Sequence, residues 1–327
     1  MGEATIQASA KKTRHAHHQL SDTALMNLFL WPTLALLIAM NVFPLLYSLY
    51  LSFTQYSAMA NKVPVWVGLG NYAKLLSEFQ LWKYFQNTGV YVLATVSLEM
   101  IVGFSLALLL RKRFVGSGLI TTLILIPMML SPVVVGLFWK LMYNPNYGIV
   151  NYLLGFGAGQ GPDWLANRLP ASFIQTLPFL AGLLKGKNLA MVAVVLVDVW
   201  MWSPFVMLLC TAGLTAIPDY LYEAAEIDRA SSWFQFWRIT LPQVAPLLLV
   251  AVLFRTIESI KAFDLIMGLT GGGPGDSTEL VSIDLYRTAF LGSFNTGKSS
   301  ALAYIVLVII IAASNLYIRY LNQVKEG

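Results

Sequence analysis

The chain has 327 residues, of which 57% are hydrophobic and 11% charged, and its mean hydropathy is +0.66. Soluble domains carry about 25% charged residues, so an ordinary soluble globule is excluded and a membrane location follows. The formal net charge of +5 does not indicate a nucleic-acid surface, because no basic run is interleaved with aromatics; the basic residues flank apolar segments instead. The single cysteine, Cys210, lies inside an apolar run and rules out an internal disulfide.

Residues 1–25 form a polar tail with Lys11, Lys12, Arg14 and three histidines, His15, His17 and His18. No Cys or neighbouring carboxylate completes a metal site there, and the composition is that of a disordered tail. No small-residue cleavage site follows the first apolar run, which reads as a retained anchor. Six segments, 27–52, 88–110, 119–142, 189–214, 244–268 and 300–318, have the ~20 apolar residues a bilayer crossing needs. They lack the alternating polarity of barrel strands, so helices are expected, and the fold class is an all-α polytopic bundle of six transmembrane helices. The shorter apolar piece from Phe173 to Leu184 contains Pro178 and is expected to lie at the interface.

Topology follows from the flanks. The tight basic connection Arg111-Lys112-Arg113 between spans two and three is the strongest positive-inside signal and puts both termini in the cytoplasm. Lys185 and Lys187 oppose it, but they belong to a long outside loop, where charges weigh less. The domain division is then a cytoplasmic tail, 1–25, a transmembrane domain, 26–322, and a short cytoplasmic end, 323–327.

Spans four and five are separated by the polar stretch 219–242, whose core reads YEAAEIDRASSWFQFWRITLP from Tyr222 to Pro242. Asp219 is placed to cap a helix with Glu223 in its first turn, where a carboxylate suits the dipole. Ala224 and Ala225 are small enough for a partner to approach the backbone. Ser231-Ser232 is a second capping signal, followed by the bulky run Trp233, Phe234, Phe236 and Trp237. The expectation is a helix, a turn and a second helix on the cytoplasmic side.

Glu223-Ala224-Ala225, Asp228, Ala230, Ile239 and Leu241-Pro242 resemble the EAA loop in permease subunits of binding-protein-dependent ABC importers. Two outer segments extend the likeness: Val67-Gly68-Leu69-Gly70-Asn71-Tyr72, and Phe263-Asp264-Leu265-Ile266 with the glycine-rich 271–275 behind it. Tyr286-Arg287-Thr288-Ala289-Phe290 and Ser300-Ala301-Leu302-Ala303 continue it. The match covers roughly 25–322 and is most similar to the maltose-type first permease. It implies the type I importer permease fold and an ATP-driven importer for a sugar or sugar derivative in the bacterial inner membrane. Implied partners are a second permease, a cytoplasmic ATPase dimer that carries ATP and Mg, and an extracytoplasmic solute-binding protein. The coupling residues it implies are Glu223, Ala224, Ala225, Asp228, Arg229 and Ala230. Arg229 departs from the pattern, which has Gly there to allow a positive φ.

Charged groups inside a bilayer are costly, and those in spans are functional candidates. Asp198, Trp202 and Phe205 in span four, and Arg255, Ser259 and Ala262 in span five, each fall at i, i+4 and i+7 and define one face. By the resemblance, these faces line a sugar cavity. Trp202 suits stacking on a sugar, while Asp198 and Ser259 suit its hydroxyls. Arg255 either recognises an anion with its planar fork or is neutralised by Asp198 or by Glu258, one turn away. Glu99, Lys140, Lys261 and Asp264 rank behind these as groups that pair or snorkel, and Pro132 and Pro204 are positions for bends.

No P-loop occurs, because the 271–275 glycine run lacks the Lys, and with every histidine in the tail no catalytic set assembles. The chain reads as non-catalytic, with no cofactor of its own. The rival is an ion-coupled secondary carrier with Asp198 or Glu99 as proton site; no inverted hydropathy repeat supports it.

Overall fold

The computed structural model describes residues 21–59, 63–111, 114–176, 188–292 and 294–326. The N-terminal histidines, Lys112, Arg113, Lys185 and Lys187 lie outside these ranges. The chain divides into two compact units, residues 1–50 and 51–327.

The first unit is an apolar helix in three parts. Helix α1 (Asp22–Leu37) passes through a π-turn (Ile38–Val42) into α2 (Phe43–Ser52). The loosening has a local cause: Pro44 has no N–H, and the amide of Phe43 reaches back five residues to the Ile38 carbonyl. Phe29, Trp31, Met40 and Phe43 are exposed along it, as lipid contact requires.

The second unit opens with a two-residue hairpin, β1 (Thr54–Gln55) antiparallel to β2 (Val65–Trp66). Helix α3 (Gly70–Ser77) follows, tied down by Asn71, whose side-chain amide donates to the carbonyls of Ser52 and Thr54 at 2.9 and 2.8 Å. The long helices are α4 (Phe79–Leu110), α9 (Leu189–Thr215), α12 (Leu241–Ile260) and α15 (Thr296–Glu326). Shorter pieces are α5 (Ser117–Met129), α6 (Pro132–Met142), α7 (Ile149–Leu153), α8 (Ala171–Thr176), α10 (Tyr220–Ile227), α11 (Ser232–Gln235), α13 (Asp264–Leu269) and α14 (Val281–Phe290). Of the predicted interfacial piece 173–184, α8 accounts for the start, and the remainder lies outside the described residues. Among the described residues five helices are long and apolar enough to cross a membrane, or six when α5 and α6 are taken as one bent span.

Three expected boundaries move. Span three is not one straight helix: α5 and α6 meet at 100°. Pro132 disfavours helical backbone before it, and Leu130 and Ser131 are both extended, at ψ 151° and 132°. Span five, expected at 244–268, is a continuous helical run from Ser232 to Ile260. It breaks at Lys261–Phe263, and 264–269 is the separate helix α13. Helix α9, by contrast, runs unbroken through Pro204.

Helix α9 is the hub, apolar around its whole circumference and packed against α4, α5 and α12. Small residues let backbones approach. A Cβ on Gly103 of α4 would stand 2.6 Å from the Ser203 carbonyl oxygen of α9. Helices α6 and α13 pack similarly: a Cβ on Gly136 would lie 2.6 Å from the Leu265 carbonyl oxygen, and one on Gly268 2.8 Å from that of Val133.

Candidate functional site

Three helices bring charged groups together at the middle of the bundle: Glu99 from α4, Asp198 from α9 and Arg255 from α12. The Arg255 Nε donates to Glu99 Oε2 at 2.6 Å, and one terminal nitrogen, NH2, donates to Glu99 Oε1 at 2.7 Å. The same nitrogen donates to Asp198 Oδ2 at 2.9 Å and reaches Ser259 Oγ at 3.3 Å. The guanidinium carbon lies 4.8 Å from the centre of the Trp202 ring. Arg255 and Asp198 are each 3% exposed and Glu99 is 0% exposed. Burying these charges is unfavourable unless they are paired, and here one cation is held between two carboxylates.

The neutralising partners differ from expectation. Glu258 is not one of them; its carboxylate takes a hydrogen bond from Lys261 Nζ at 2.8 Å. Asp198 is, and Glu99, ranked as a lesser candidate, makes the bidentate contact. Glu99 sits mid-helix 156 positions from Arg255, and the only signal in the sequence was a carboxylate inside a span with no basic residue within a turn.

Beside the cluster lies a pocket of about 140 Å³. Asp198, Trp202, Arg255, Ser259 and Ala262 line it, so five of the six predicted positions converge. Phe205 does not; it packs lower in the bundle, against the cluster that includes Val206, Met207 and Val244. The rest of the wall is Pro132 from α6, Glu258 and Lys261, and Phe263, Asp264 and Leu265 at the break before α13. The 100° bend at Pro132 and the interruption of the α12 helix at 261–263 together make this space. Chemically it offers an indole face, a carboxylate, a hydroxyl and charged rim groups, a set suited to a small polyhydroxylated solute.

The stretch 219–242 forms the expected helix and turn, with differences. Asp219 precedes α10 but its side chain makes no capping bond; the residue is itself in helical conformation, which turns the carboxylate away from the free amides. Ser231 does cap, accepting from the Phe234 amide at 3.2 Å. Arg229 takes φ +56°. The Ala230 amide reaches the Ala225 carbonyl at 2.8 Å and the Arg229 amide that of Glu226 at 3.0 Å, the hydrogen-bond pair of a Schellman turn. Arg229 therefore occupies the left-handed position a Gly would normally hold. The second helix is not a separate short one: α11 continues through a π-turn (Phe236–Thr240) into α12. Pro242 is accommodated because the Leu241 amide bonds the Phe236 carbonyl five residues back.

Glu223, Ala224, Asp228 and Arg229 are exposed, Ala230 is half-buried and Ala225 is buried towards the bundle. Only Ala224 of the alanine pair thus offers its small side chain outward. A concavity of about 680 Å³ opens here, bounded by Ala224, Asp228, Arg229, Ala230 and Phe234 among others. The hook is braced by the Arg111 guanidinium, 4.1 Å from the centre of the Tyr222 ring, and by a 2.9 Å hydrogen bond between the Tyr222 and Thr240 hydroxyls.

At the other end of α12, the glycine-rich segment folds over the starts of α4 and α9. Lys83 pairs with Asp276 at 2.7 Å, and the Asn87 side chain donates to the carbonyls of Asp276 and Glu279. Hydrogen bonds from Lys83 and Gln80 hold the Asp276 carboxyl below its usual range, while burial pushes that of Glu279 up to about 7 despite Arg287 at 2.9 Å.

A helical bundle with long apolar spans, an interior polar pocket and a braced hook at one end defines a multi-pass membrane transport component. The chain belongs to the family described as "Binding-protein-dependent transport system inner membrane component", which matches residues 99–324; it is a permease subunit rather than an enzyme. It is 34% identical over 292 residues to the trehalose/maltose transport system permease protein MalF of Thermococcus litoralis, covering 89% of this chain and 92% of the relative. It is 30% identical over 303 residues to the sulfoquinovosyl glycerol transport system permease protein SmoG of Agrobacterium fabrum, covering 93% and 92%. Among solved structures it superposes on a chain of a bacterial ABC transporter that imports the acidic polysaccharide alginate, with TM-score 0.70, 20% identity, and coverage of 90% and 95%. That likeness concerns the fold, which is the importer permease fold.

Proposed function

We propose that this chain forms half of the translocation pathway of an ATP-driven importer for a sugar or sugar derivative. The observation that carries the solute reading is the pocket in which Trp202, Asp198 and Ser259 face one space beside Arg255. Trp202 stacks on the apolar face of a pyranose, and Asp198 and Ser259 take its hydroxyl hydrogen bonds. Relatives that bear sugar transport names support this reading.

A second permease supplies the other half of the pathway, and an extracytoplasmic binding protein delivers the solute. ATP and Mg are bound by a cytoplasmic ATPase dimer, which receives the hook of Glu223, Ala224, Ala225, Asp228, Arg229 and Ala230. The chain lies in the inner membrane with both termini inside, in keeping with Arg111 at the hook end. A carrier working alone is the weaker alternative, because the buried carboxylates Asp198 and Glu99 are both engaged by Arg255.

The test is sugar uptake by proteoliposomes holding the complete complex. Trp202→Ala is expected to lower uptake about fivefold, since one lost ring-stacking contact is worth roughly 1 kcal/mol. Uptake equal to wild type would remove Trp202, and with it the proposed pocket, from the pathway.

A further inference from the structure

We infer that the pocket selects uncharged solutes and that the Glu99–Arg255–Asp198 cluster is the charge filter that rejects anions. The inference rests on the sugar reading and names the substrate class within it. An Arg in a transport cavity invites an anion, but both forks of this guanidinium use a nitrogen, NH2, that is already shared between two carboxylates. Its Nε and one terminal nitrogen are spent on Glu99 at 2.6 and 2.7 Å, and that same nitrogen serves Asp198 at 2.9 Å. Trp202 covers the guanidinium at 4.8 Å.

The remaining walls add no surplus positive charge. Lys261 is paired with Glu258 at 2.8 Å, and Asp264 adds a further carboxylate to the lining. Counting Glu99 behind the pocket, four carboxylates face two cations. A carboxylate, sulfonate or phosphate entering this space meets Asp198 as a like charge with no free donor fork to compensate. A neutral polyol meets no such repulsion, and it finds acceptors in Asp198 and Ser259.

Glu99 is then a positioning residue: it does not line the pocket, and it acts by holding the Arg255 fork away from the solute. Removing its charge frees Arg255 to receive an anion. The test is saturation-transfer NMR on the transporter complex in nanodiscs without its binding protein. The probes are a panel of neutral mono- and disaccharides and their uronate and sulfonate counterparts.

Wild type is expected to transfer saturation to neutral members and not to the anions. Glu99→Gln is expected to raise the anion-to-neutral ratio about tenfold, because it releases the Nε side of the Arg255 fork from its carboxylate. Asp264→Asn, at an exposed rim position, is expected to raise it by about twofold, a rim charge being worth less than a buried one. Preferential or equal binding of anions by wild type overturns the filter, and so does an unchanged ratio in both variants. Binding of neither class by wild type overturns the sugar reading itself and the inference with it.

Discussion

At the scale of single residues, spacing along each helix grouped residues that share a face but carried no information about depth. Asp198 and Trp202 on α9, and Arg255, Ser259 and Ala262 on α12, line the pocket. The two helices run antiparallel, so the pocket lies towards the start of α9, and a residue seven positions beyond Asp198 sits ~10 Å further along the axis. Phe205 shares the face and misses the site for that reason. Glu99 was visible as a buried charge, but its partner lies on another helix, and single-sequence periodicity carries no information between helices. At Arg229 the sequence showed a missing glycine, and the structure shows that the turn keeps its geometry, with Arg at φ +56°. A left-handed non-glycine residue costs about 1 kcal/mol. Arg229→Gly is therefore expected to tighten the hook, read as slower hydrogen exchange of the amide of Ala230, which bonds the Ala225 carbonyl at 2.8 Å. Faster exchange would mean that Arg229 contributes contacts that outweigh its backbone strain.

At the scale of elements, apolar length located the spans but not their ends. The sequence reads as a polar stretch ending at Pro242 with span five beginning at 244, yet the π-turn at Phe236–Thr240 absorbs the missing amide and the helix is continuous. Beyond Ile260 the sequence stays largely apolar to residue 268, which hid the break at Lys261–Phe263 that shapes the pocket wall. Pro132 was recognised as a bend, but its size, 100°, comes from two consecutive extended residues before it. The contact of α6 with α13 depends on glycine, and this was not legible, because a glycine in an apolar helix looks alike whether it faces a backbone or lipid. Gly136→Ala would set a methyl 2.6 Å from the Leu265 carbonyl oxygen; overpacking of this kind costs about 1–3 kcal/mol. A lower melting temperature in detergent is expected, together with reduced uptake. Gly89→Ala, where a Cβ meets nothing within 4 Å, is the control and is expected to melt at or above the wild-type temperature. Equal melting of the two variants would contradict backbone-to-backbone packing of α6 on α13.

At the scale of the whole molecule, two features of the 51–327 unit are joined by one element. Helix α12 carries Arg255 and Ser259 at the pocket, and its continuous run begins at Ser232, directly after the hook turn. In the proposed coupling, a push on Glu223 and its neighbours would travel along this packed helix, in contact with α9 and α4, to the pocket wall. This mechanical link is the physical content of the proposed coupling. It was half legible: five of the six expected pocket positions share one space and the expected hook forms, but the sequence treated the second hook helix and span five as separate pieces.

The most direct test is uptake in proteoliposomes of the assembled complex, with wild type compared against Glu223→Lys and each assayed with and without ATP. Glu223 is exposed on the first hook helix, so the substitution leaves the bundle intact and reverses the charge presented to the ATPase. The expected result is ATP-dependent uptake by wild type, and an integrated, membrane-inserted variant whose uptake is lost. Uptake without ATP, or full ATP-driven uptake by Glu223→Lys, would contradict the account.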